Sequence, residues 1–574
     1  MLREKVGATS GGAALVIAAA LAVALAAGWL SLLFALPLDA WPLGGLTAVL
    51  TATAAWALRR TGVRVSAASA VSASVVLAGS VVAAVFVMDT SYDGQVYHML
   101  AVDALLRGWN PLYHPEYPDS VWVEHYPKGS WLIAAYICAF VPTIEAGKAI
   151  NLSAAAGAFF ASHALAAQWL ARRESGKRGG TQLGGVGRSA PRATRAAAFV
   201  VAFAAAANPV AAAQLFTYYN DGLLGSLLLM YAASLARFSV ARDRGALATA
   251  MFAAIVLVNV KFTALVYAAL FGAAFAVYEG WRAWSRGRTA DWLKAVGALA
   301  AAGVVGAAVL GFNPYVTNAV RKGHPFYPVE GKGKIDIVTA NMPEDFVGRS
   351  KWDKFYLSLT GRPGSPIGPA SSERRSSFWD VRPDEFRKLD PDTRVAGFGP
   401  YMHWLLLGAA LAVLTMLATD VRVGLGVLLL AAVPAATVAV NPENWWARYV
   451  PQLWWLPALA AAGGWMARSR LAAAPRAAAL CLAALLLWNA GGSVAATVAR
   501  QVNNSLKLDE QLDALRRENT ELRLFREGLG FVSVPLRLEE RGIRYIAVDK
   551  AGLCPDPQKI LFSTARYCKA TDGT

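Results

Sequence analysis

The sequence predicts an α-helical polytopic membrane protein with about 13 transmembrane helices, external loops and a small C-terminal α/β appendage. Hydrophobic residues make up 56% of its 574 residues and charged residues only 16%, and the mean hydropathy is +0.39. The apolar residues occur in repeated runs of about 20, the length that crosses a bilayer core. Basic residues cluster in short segments between these runs, a pattern typical of membrane proteins.

The formal net charge of +17 reflects this distribution of basic residues. Its arginines lie in short connections, such as 172–195 and 237–244, where positive charge holds a loop in the cytoplasm. A nucleic-acid-binding protein would instead concentrate this charge on one folded face. We therefore expect membrane lipids, and no nucleic acid, as partners.

The apolar runs predict the spans in chain order. They are residues 12–36, 42–58, 65–88, 147–171, 196–215, 223–236, 246–279, 293–312, 401–418, 423–440, 450–467 and 476–497. The run 246–279 is too long for one helix, so we expect a hairpin that turns at residues 259–261. The apolar piece 130–143 is expected to be short, broken or re-entrant, because basic residues follow the next run.

An odd number of crossings places the N-terminus in the cytoplasm and the C-terminus outside. The loops 89–129 and 313–399 are then external, and residues 1–499 form the transmembrane module. The tail 500–574 is expected to be extracytoplasmic, with a helix over 506–526 and a strand within 541–549. A disulfide between Cys554 and Cys568 fits an oxidising compartment.

Four loops that are predicted to lie on the outer face carry acids, bases and aromatic residues. The candidate site residues are Asp93, Tyr97, His98, Lys128, Asp221, Lys261, Arg448 and Tyr449. Each one alone is compatible with an ordinary helix end at the membrane surface. Together they place carboxylates beside basic groups near lipid, which favours a site for a phosphate-bearing lipid.

The same segments resemble the GT-C superfamily of membrane glycosyltransferases, which use polyprenyl-phosphate sugars. YDGQVYHMLAVDALLRGWNP (92–111) resembles their first external loop, and HYPKGSWLIAAY (125–136) resembles their lysine- and proline-containing segment. ARYVPQLW (447–454) resembles their late arginine–tyrosine segment, and YYNDG (218–222) lies where many members carry a second acidic motif. The resemblance is to the group that includes aminoarabinose transferases and protein O-mannosyltransferases, with the subfamily left open.

The resemblance implies a GT-C-like fold and an inverting transfer of a hexosyl or pentosyl group to an acceptor hydroxyl. Asp93 would be the general base. Lys128, Lys261 and Arg448 would stabilise the polyprenyl phosphate as it leaves. Asp221 would orient the sugar or, with Asp93, help to hold Mg²⁺ or Mn²⁺; whether a cation is used stays open.

The composition is typical of a GC-rich bacterial genome, so we expect a bacterial inner membrane protein with a site facing the periplasm. The acceptor of the predicted transfer is left open between a lipid, a protein and a glycan.

Two alternatives to the glycosyltransferase are a transporter or flippase of a lipid-linked saccharide, and a surface-polysaccharide polymerase or ligase. A transporter places its binding groups at mid-membrane, often in repeated halves. The candidate residues lie instead in loops on one side.

Overall fold

The computed structural model describes residues 2–177, 192–366, 369–467, 471–526, 531–548 and 557–569. It is 71% helical. By length and composition, ten helices in the described part of the chain can cross a membrane. The chain is therefore a helical multi-pass membrane protein, as the sequence predicts, while the count of about 13 spans stays a prediction.

The helices of the first half, in chain order, are α1 Leu2–Leu33, α2 Ala40–Arg60, α3 Ala67–Phe86, α4 Met99–Leu106, α5 Val121–His125, α6 Gly129–Phe140, α7 Ala149–Lys177, α8 Arg192–Ala206, α9 Pro209–Ala213, α10 Asp221–Ala241, α11 Arg244–Leu257, α12 Phe262–Trp284 and α13 Thr289–Val304. A π-helical turn, Gly94–His98, precedes α4, and a 3₁₀ turn, Ile144–Lys148, leads into α7.

The helices of the second half are α14 Thr317–Lys322, α15 Lys351–Thr360, α16 Met402–Thr419, α17 Val421–Val440, α18 Trp455–Met466, α19 Ala473–Glu518 and α20 Ser533–Glu540. The strands are β1 Leu522–Arg526, β2 Tyr545–Ala547, β3 Gln558–Lys559 and β4 Ala565–Lys569. Two consecutive 3₁₀ turns, Ala447–Tyr449 and Pro451–Trp454, connect α17 to α18.

Two apolar runs have lengths that do not fit a single span, and the helix bounds agree with the prediction for each. The run 246–279 is a helical hairpin, since α11 ends at Leu257 and α12 begins at Phe262. The piece predicted at 130–143 is the short helix α6, which has only 12 residues. The run predicted at 196–215 is interrupted, because the Asn208 side chain caps α9 and Pro209 occupies its first position.

The last span and the tail are joined by a helix rather than by a loop. α19 runs for 46 residues, so the predicted boundary at 499/500 lies inside one continuous helix. The tail helix predicted over 506–526 ends at Glu518, where Asn519 adopts a left-handed backbone with φ of 51°. Residues 522–526 form β1 instead.

The C-terminal appendage is a four-stranded sheet packed with α20 and the end of α19. The strand order is β2-β1-β4-β3, with β1 parallel to β2 and antiparallel to β4. Its core includes Leu508, Leu512 and Leu515 of α19 together with Leu538 of α20. The leucines of α19 therefore serve packing, and the appendage has the α/β character that the sequence predicts.

Contacts between side chains identify the two ends of the bundle. We call outer the end that carries the first loop, 89–129, and also the starts of α10, α12 and α18, after the side that the sequence predicts for this loop. The inner end carries the α2–α3 turn and the α10–α11 turn, which meet where Arg244 donates to the Thr61 carbonyl at 2.9 Å. These groupings match the two sides that the positive charges predict.

The first loop contacts the α11–α12 turn backbone to backbone at Gly129. The Gly129 amide donates to the Asn259 carbonyl at 2.9 Å, and a Cβ added at Gly129 would lie 2.6 Å from that oxygen. We expect Gly129→Ala to lower the free energy of unfolding by about 1–3 kcal/mol, because neither backbone segment can move away easily. Thermal unfolding of the detergent-purified chain measures this loss.

Gly79→Ala is the matched control, since no atom lies within 4 Å of the Cβ that it would add. That substitution should leave stability unchanged or raise it by less than about 1 kcal/mol through helix propensity. Equal unfolding temperatures for the two variants would contradict the close approach at Gly129.

Candidate active site

Four of the predicted residues meet at the outer end, each positioned by the start of a helix or by a turn. Asp93 lies immediately before the π-helical turn that follows α3, and Asp221 is the first residue of α10. Lys261 precedes the first residue of α12. Arg448 lies in the 3₁₀ turn between α17 and α18. Segments distant in sequence thus supply one constellation, called here the carboxylate cluster.

Arg448 is the centre of the carboxylate cluster. Its Nη1 atom lies 3.1 Å from Asp93 Oδ2, 3.8 Å from Asp221 Oδ2 and 3.1 Å from Asp392 Oδ1. Nη1 carries two N–H groups, so it cannot hydrogen-bond three carboxylates at once. The Arg448 side chain is 12% exposed. The three acids therefore compete for one cation in a largely dry site.

Lys261 supplies the second cation. Its ammonium donates to Asp221 Oδ1 at 2.5 Å and lies 4.3 Å from the centre of the Tyr449 ring. Asp221 also accepts from Gln214 at 3.5 Å, and its side chain is only 4% exposed. The carboxylate oxygens of Asp221 are therefore occupied by protein donors. Asp93 is 22% exposed, so a ligand can reach its carboxylate.

Asp392 belongs to the cluster, and sequence reasoning missed it. It lies in the segment 313–399, which the sequence predicts to be an external loop and in which no hydrophobic periodicity marks a functional position. The acid-rich run LDPDTR (389–394) was the one sequence feature that pointed to it. Arg394 holds it, with Nη2 2.9 Å from Asp392 Oδ2. The pKa of Asp392 is raised to about 6, chiefly by burial; Arg448 lowers this pKa, and the negative charge of Asp93 adds to the rise.

Aromatic rings form the walls around Arg448. Its guanidinium lies 4.2 Å from the centre of the Trp446 ring, 5.2 Å from that of Tyr219 and 5.4 Å from that of Tyr449. The Asp93 amide donates to the Tyr219 hydroxyl at 3.5 Å. Such rings hold the guanidinium plane and exclude water, which strengthens the interactions of its charge.

Tyr97 and His98 stand beside the cluster without an ion pair to it. Their rings are 4.1 Å apart, and His98 Nδ1 accepts the Trp131 indole N–H at 2.7 Å. Burial lowers the pKa of His98 to about 3. With Nδ1 used as an acceptor, the neutral ring carries its proton on Nε2, so His98 can donate a hydrogen bond to a ligand.

Lys128 is not brought to the carboxylates. Its ammonium donates to the backbone carbonyls of Glu124 and Tyr126, both at 2.7 Å, and its side chain is fully buried. Burial lowers the pKa of Lys128 well below its usual range. Lys128 therefore ties the end of the first loop together, and of the three basic residues predicted to bind phosphate, Lys261 and Arg448 are the ones that lie beside the carboxylates.

The carboxylates offer no free ligand set for the cation that the sequence left open. Asp93 and Asp221 both face Arg448 Nη1, which occupies the point on which the carboxylates converge. Among the described residues, no group of three or more His, Cys, Asp or Glu side chains is arranged to hold a metal ion. A site for Mg²⁺ or Mn²⁺ stays a prediction of the resemblance.

A second buried network holds the appendage against the first loop. The Arg537 guanidinium contacts Glu145 Oε1 and donates to Gln95 Oε1 at 2.9 Å and to the Asp89 carbonyl at 2.7 Å. Lys148 forms an ion pair with the same glutamate. We call these residues the docking network. Because Asp89 and Gln95 flank Asp93 in sequence, the appendage helps to position the carboxylate cluster.

Asp392 and Asp89 should both release their protons near pH 6. Burial raises the pKa of Asp89 to about 6, as it does for Asp392. An infrared titration of protonated carboxylic acids should show groups that ionise near pH 6, and Asp392→Asn and Asp89→Asn should each remove one of them. Because the folded state binds more protons, these acids lower stability as pH rises from about 4 to 6. A wild-type titration complete by pH 5 would contradict this prediction.

Cys138 and Cys481 both lie in apolar runs of the sequence, which predicts buried core thiols, and this prediction is confirmed only for Cys138. Cys138 is buried in α6, and Cys481 is exposed on α19; both are free thiols. Cys568 of β4 is disulfide-bonded. Its predicted partner, Cys554, lies outside the described residues. The pairing of the two therefore stays a prediction.

No family model, no curated protein and no solved structure matches the chain. A functional conclusion therefore depends on the residues of the outer end and on their geometry.

Proposed function

We propose that the chain is an integral membrane glycosyltransferase of the GT-C type. It would move a sugar from a polyprenyl-phosphate donor to an acceptor hydroxyl on the extracytoplasmic face of a bacterial inner membrane. The observation that carries the proposal is the partly exposed Asp93 carboxylate at the outer end, paired with Arg448 in a cluster whose second cation, Lys261, pairs with Asp221. Sugar transfer from a lipid phosphate requires a base that takes the acceptor proton and, beside it, cations that stabilise the departing phosphate.

In the proposed step, the acceptor oxygen forms a bond to the anomeric carbon as Asp93 takes the hydroxyl proton. The bond between that carbon and the phosphate oxygen breaks, and its electron pair leaves with the polyprenyl phosphate. Attack opposite the leaving group inverts the anomeric configuration. Asp93 suits this role better than Asp221, because Asp221 is 4% exposed and already bonded to Lys261 and Gln214.

Lys261 and Arg448 would stabilise the charge that develops on the departing phosphate. Arg448 Nε is buried and has no hydrogen-bond partner among the described groups. A buried N–H without a partner is costly, so a ligand oxygen placed there gains a strong interaction. Tyr97, His98 and Tyr449 would line the sugar side, where the His98 Nε2–H can donate to a hydroxyl.

The transporter and flippase alternative agrees less well with the positions of these groups. The four predicted members of the carboxylate cluster lie at helix starts or in turns at one end of the bundle, whereas transporters bind their substrates near mid-membrane. The polymerase or ligase alternative shares the long external loops. It does not require an accessible aspartate beside Arg448, so Asp93 variants separate it from the transferase.

Mass spectrometry of lipids that co-purify with the detergent-solubilised chain tests the donor. The wild type should carry a polyprenyl phosphate or its sugar adduct. Lys261→Met should weaken this binding by roughly 10- to 100-fold, because a charge-assisted contact to phosphate is lost. Lys354→Met is the matched control, since Lys354 is an outer-end lysine that is 11% exposed and paired with Glu443 at 3.3 Å.

Polyprenyl lipid that is retained equally by both lysine variants would contradict the placement of the phosphate. A wild-type chain that binds no polyprenyl lipid, even when the lipid extract of its source membrane is added, would contradict the transferase itself.

A further inference from the structure

A cavity of about 470 Å³ opens at the inner end, away from the carboxylate cluster. It lies between the start of α1, the α2–α3 turn and the α10–α11 turn. Its walls bring together four arginines and one acid from three segments: Arg64, Arg237, Arg242, Arg244 and Asp243. The lining therefore has a formal charge of +3. We call it the basic cavity.

The single acid does not neutralise the cavity. Asp243 Oδ1 accepts the Gly245 amide at 2.8 Å as the cap of α11, and Asp243 Oδ2 lies 2.6 Å from Arg237 Nη2. Arg242 is compensated by Glu279, with 2.5 Å between Nη1 and Oε2. Arg64 and Arg244 are exposed and have no ion-pair partner among the described residues. Two positive charges therefore stand uncompensated at the cavity.

The arginines are held there at a structural cost. Arg237 crosses α1 at Gly11, where a Cβ would lie 1.6 Å from Arg237 Nη1, so a side chain at this position would displace the guanidinium. Arg237 Nε is buried without a hydrogen-bond partner. Arg242 adopts a left-handed backbone with φ of 57°, which costs a non-glycine residue about 1 kcal/mol. Membrane topology requires positive charge at this end, but it does not require arginines that converge on a cavity.

We infer that the basic cavity binds a phosphate group, supplied either by the headgroup of an anionic lipid in the inner leaflet or by free phosphate. Arginine N–H groups match phosphate oxygens in geometry and charge. A basic pocket between transmembrane helices at this level is a typical site for an anionic headgroup. The volume accommodates a phosphodiester with its glycerol. The site lies at the other end of the bundle and does not depend on the proposed transfer.

Native mass spectrometry of the full chain in detergent tests this inference, with phosphatidylglycerol, phosphatidylcholine and inorganic phosphate as probes. We expect phosphatidylglycerol to bind the wild type more tightly than phosphatidylcholine. The double substitution R64Q/R244Q should weaken that binding about 30-fold, about fivefold for each positive charge removed. The matched control R286Q/R422Q removes two exposed inner-end arginines outside the cavity and should bind like the wild type.

The remaining probe separates the two sources. If inorganic phosphate binds the wild type and R64Q/R244Q weakens it, while phosphatidylglycerol does not compete, then the site takes free phosphate. If phosphatidylglycerol competes with phosphate, the site takes the lipid headgroup. If neither phosphatidylglycerol nor inorganic phosphate binds R64Q/R244Q more weakly than R286Q/R422Q, the inference is overturned. Matching unfolding temperatures of the two double variants establish that both are folded.

Discussion

Asp93→Asn should lower the rate of sugar transfer by about 100- to 10,000-fold while the protein remains folded and keeps its lipid donor. The range is that expected for loss of a positioned general base. Asparagine preserves the shape of the side chain, and its amide oxygen can still accept from Arg448, which lies 3.1 Å from Asp93 Oδ2. Lys261 and Arg448 stay in place, so phosphate binding should persist.

Asp103→Asn is the matched control for this prediction. Asp103 lies in α4 within the same loop, and its carboxylate pairs with Arg107 at 2.8 Å, one helical turn away. A surface pair of this kind contributes little to stability, so transfer should stay within about twofold of the wild type. Transfer reduced equally by both variants would mean that the first loop, rather than the Asp93 carboxylate, is sensitive to substitution.

Arg537→Met should destabilise the docked appendage by about 3 kcal/mol or more. Arg537 is 3% exposed, and its loss leaves Glu145 with Lys148 as its remaining ion-pair partner. Removing one member of a buried ion pair typically costs 3–5 kcal/mol. Limited proteolysis of the purified chain should then cut after α19 under conditions in which the wild type resists. Transfer should fall as well, because Asp89 and Gln95 hold the segment that carries Asp93.

Arg541→Gln provides the contrast. Arg541 lies in the same appendage and pairs with Asp509 and Asp513, whose side chains are 45% and 49% exposed. The change should cost less than about 1 kcal/mol, because solvent screens such pairs. Equal protease resistance of both arginine variants would show that the docking network does not hold the appendage.

The helices were the most predictable feature, because apolar runs bounded by arginines determine where a chain crosses a membrane. The hairpin of α11 and α12 follows from length and charge alone. The end of α19 was not predictable in this way. Its leucines keep a helical spacing as far as Leu522, but the helix stops at Glu518, where Asn519 is left-handed and the following residues pair as β1 with strands formed later in the chain.

The candidate site was predicted in part. The predicted order of membrane crossings places four loops on the same side of the membrane. Because these loops carry Asp93, Asp221, Lys261 and Arg448, the sequence could predict that these side chains lie close together. Lys128 lies on the same side of the membrane, but its ammonium donates to nearby backbone carbonyls. Local packing determines this orientation, and the sequence pattern does not reveal it. Asp392 could not be identified from the sequence, because it lies in a long external segment without a periodic pattern. The segment is brought next to Arg448 by tertiary contacts, such as the hydrogen bond from Gln214 to the Pro391 carbonyl at 2.9 Å.

In the proposed reaction, Asp93 is the general base for the transfer of a sugar from a polyprenyl-phosphate donor. The most direct measurement compares envelope glycans and polyprenyl-linked sugars, by mass spectrometry, in source cells that carry either the wild-type chain or Asp93→Asn. We predict that the variant cells lack one sugar from an extracytoplasmic glycan, lipid or protein and accumulate the matching polyprenyl-phosphate sugar. Identical glycans and unchanged lipid-linked sugars in the two strains would contradict the claim.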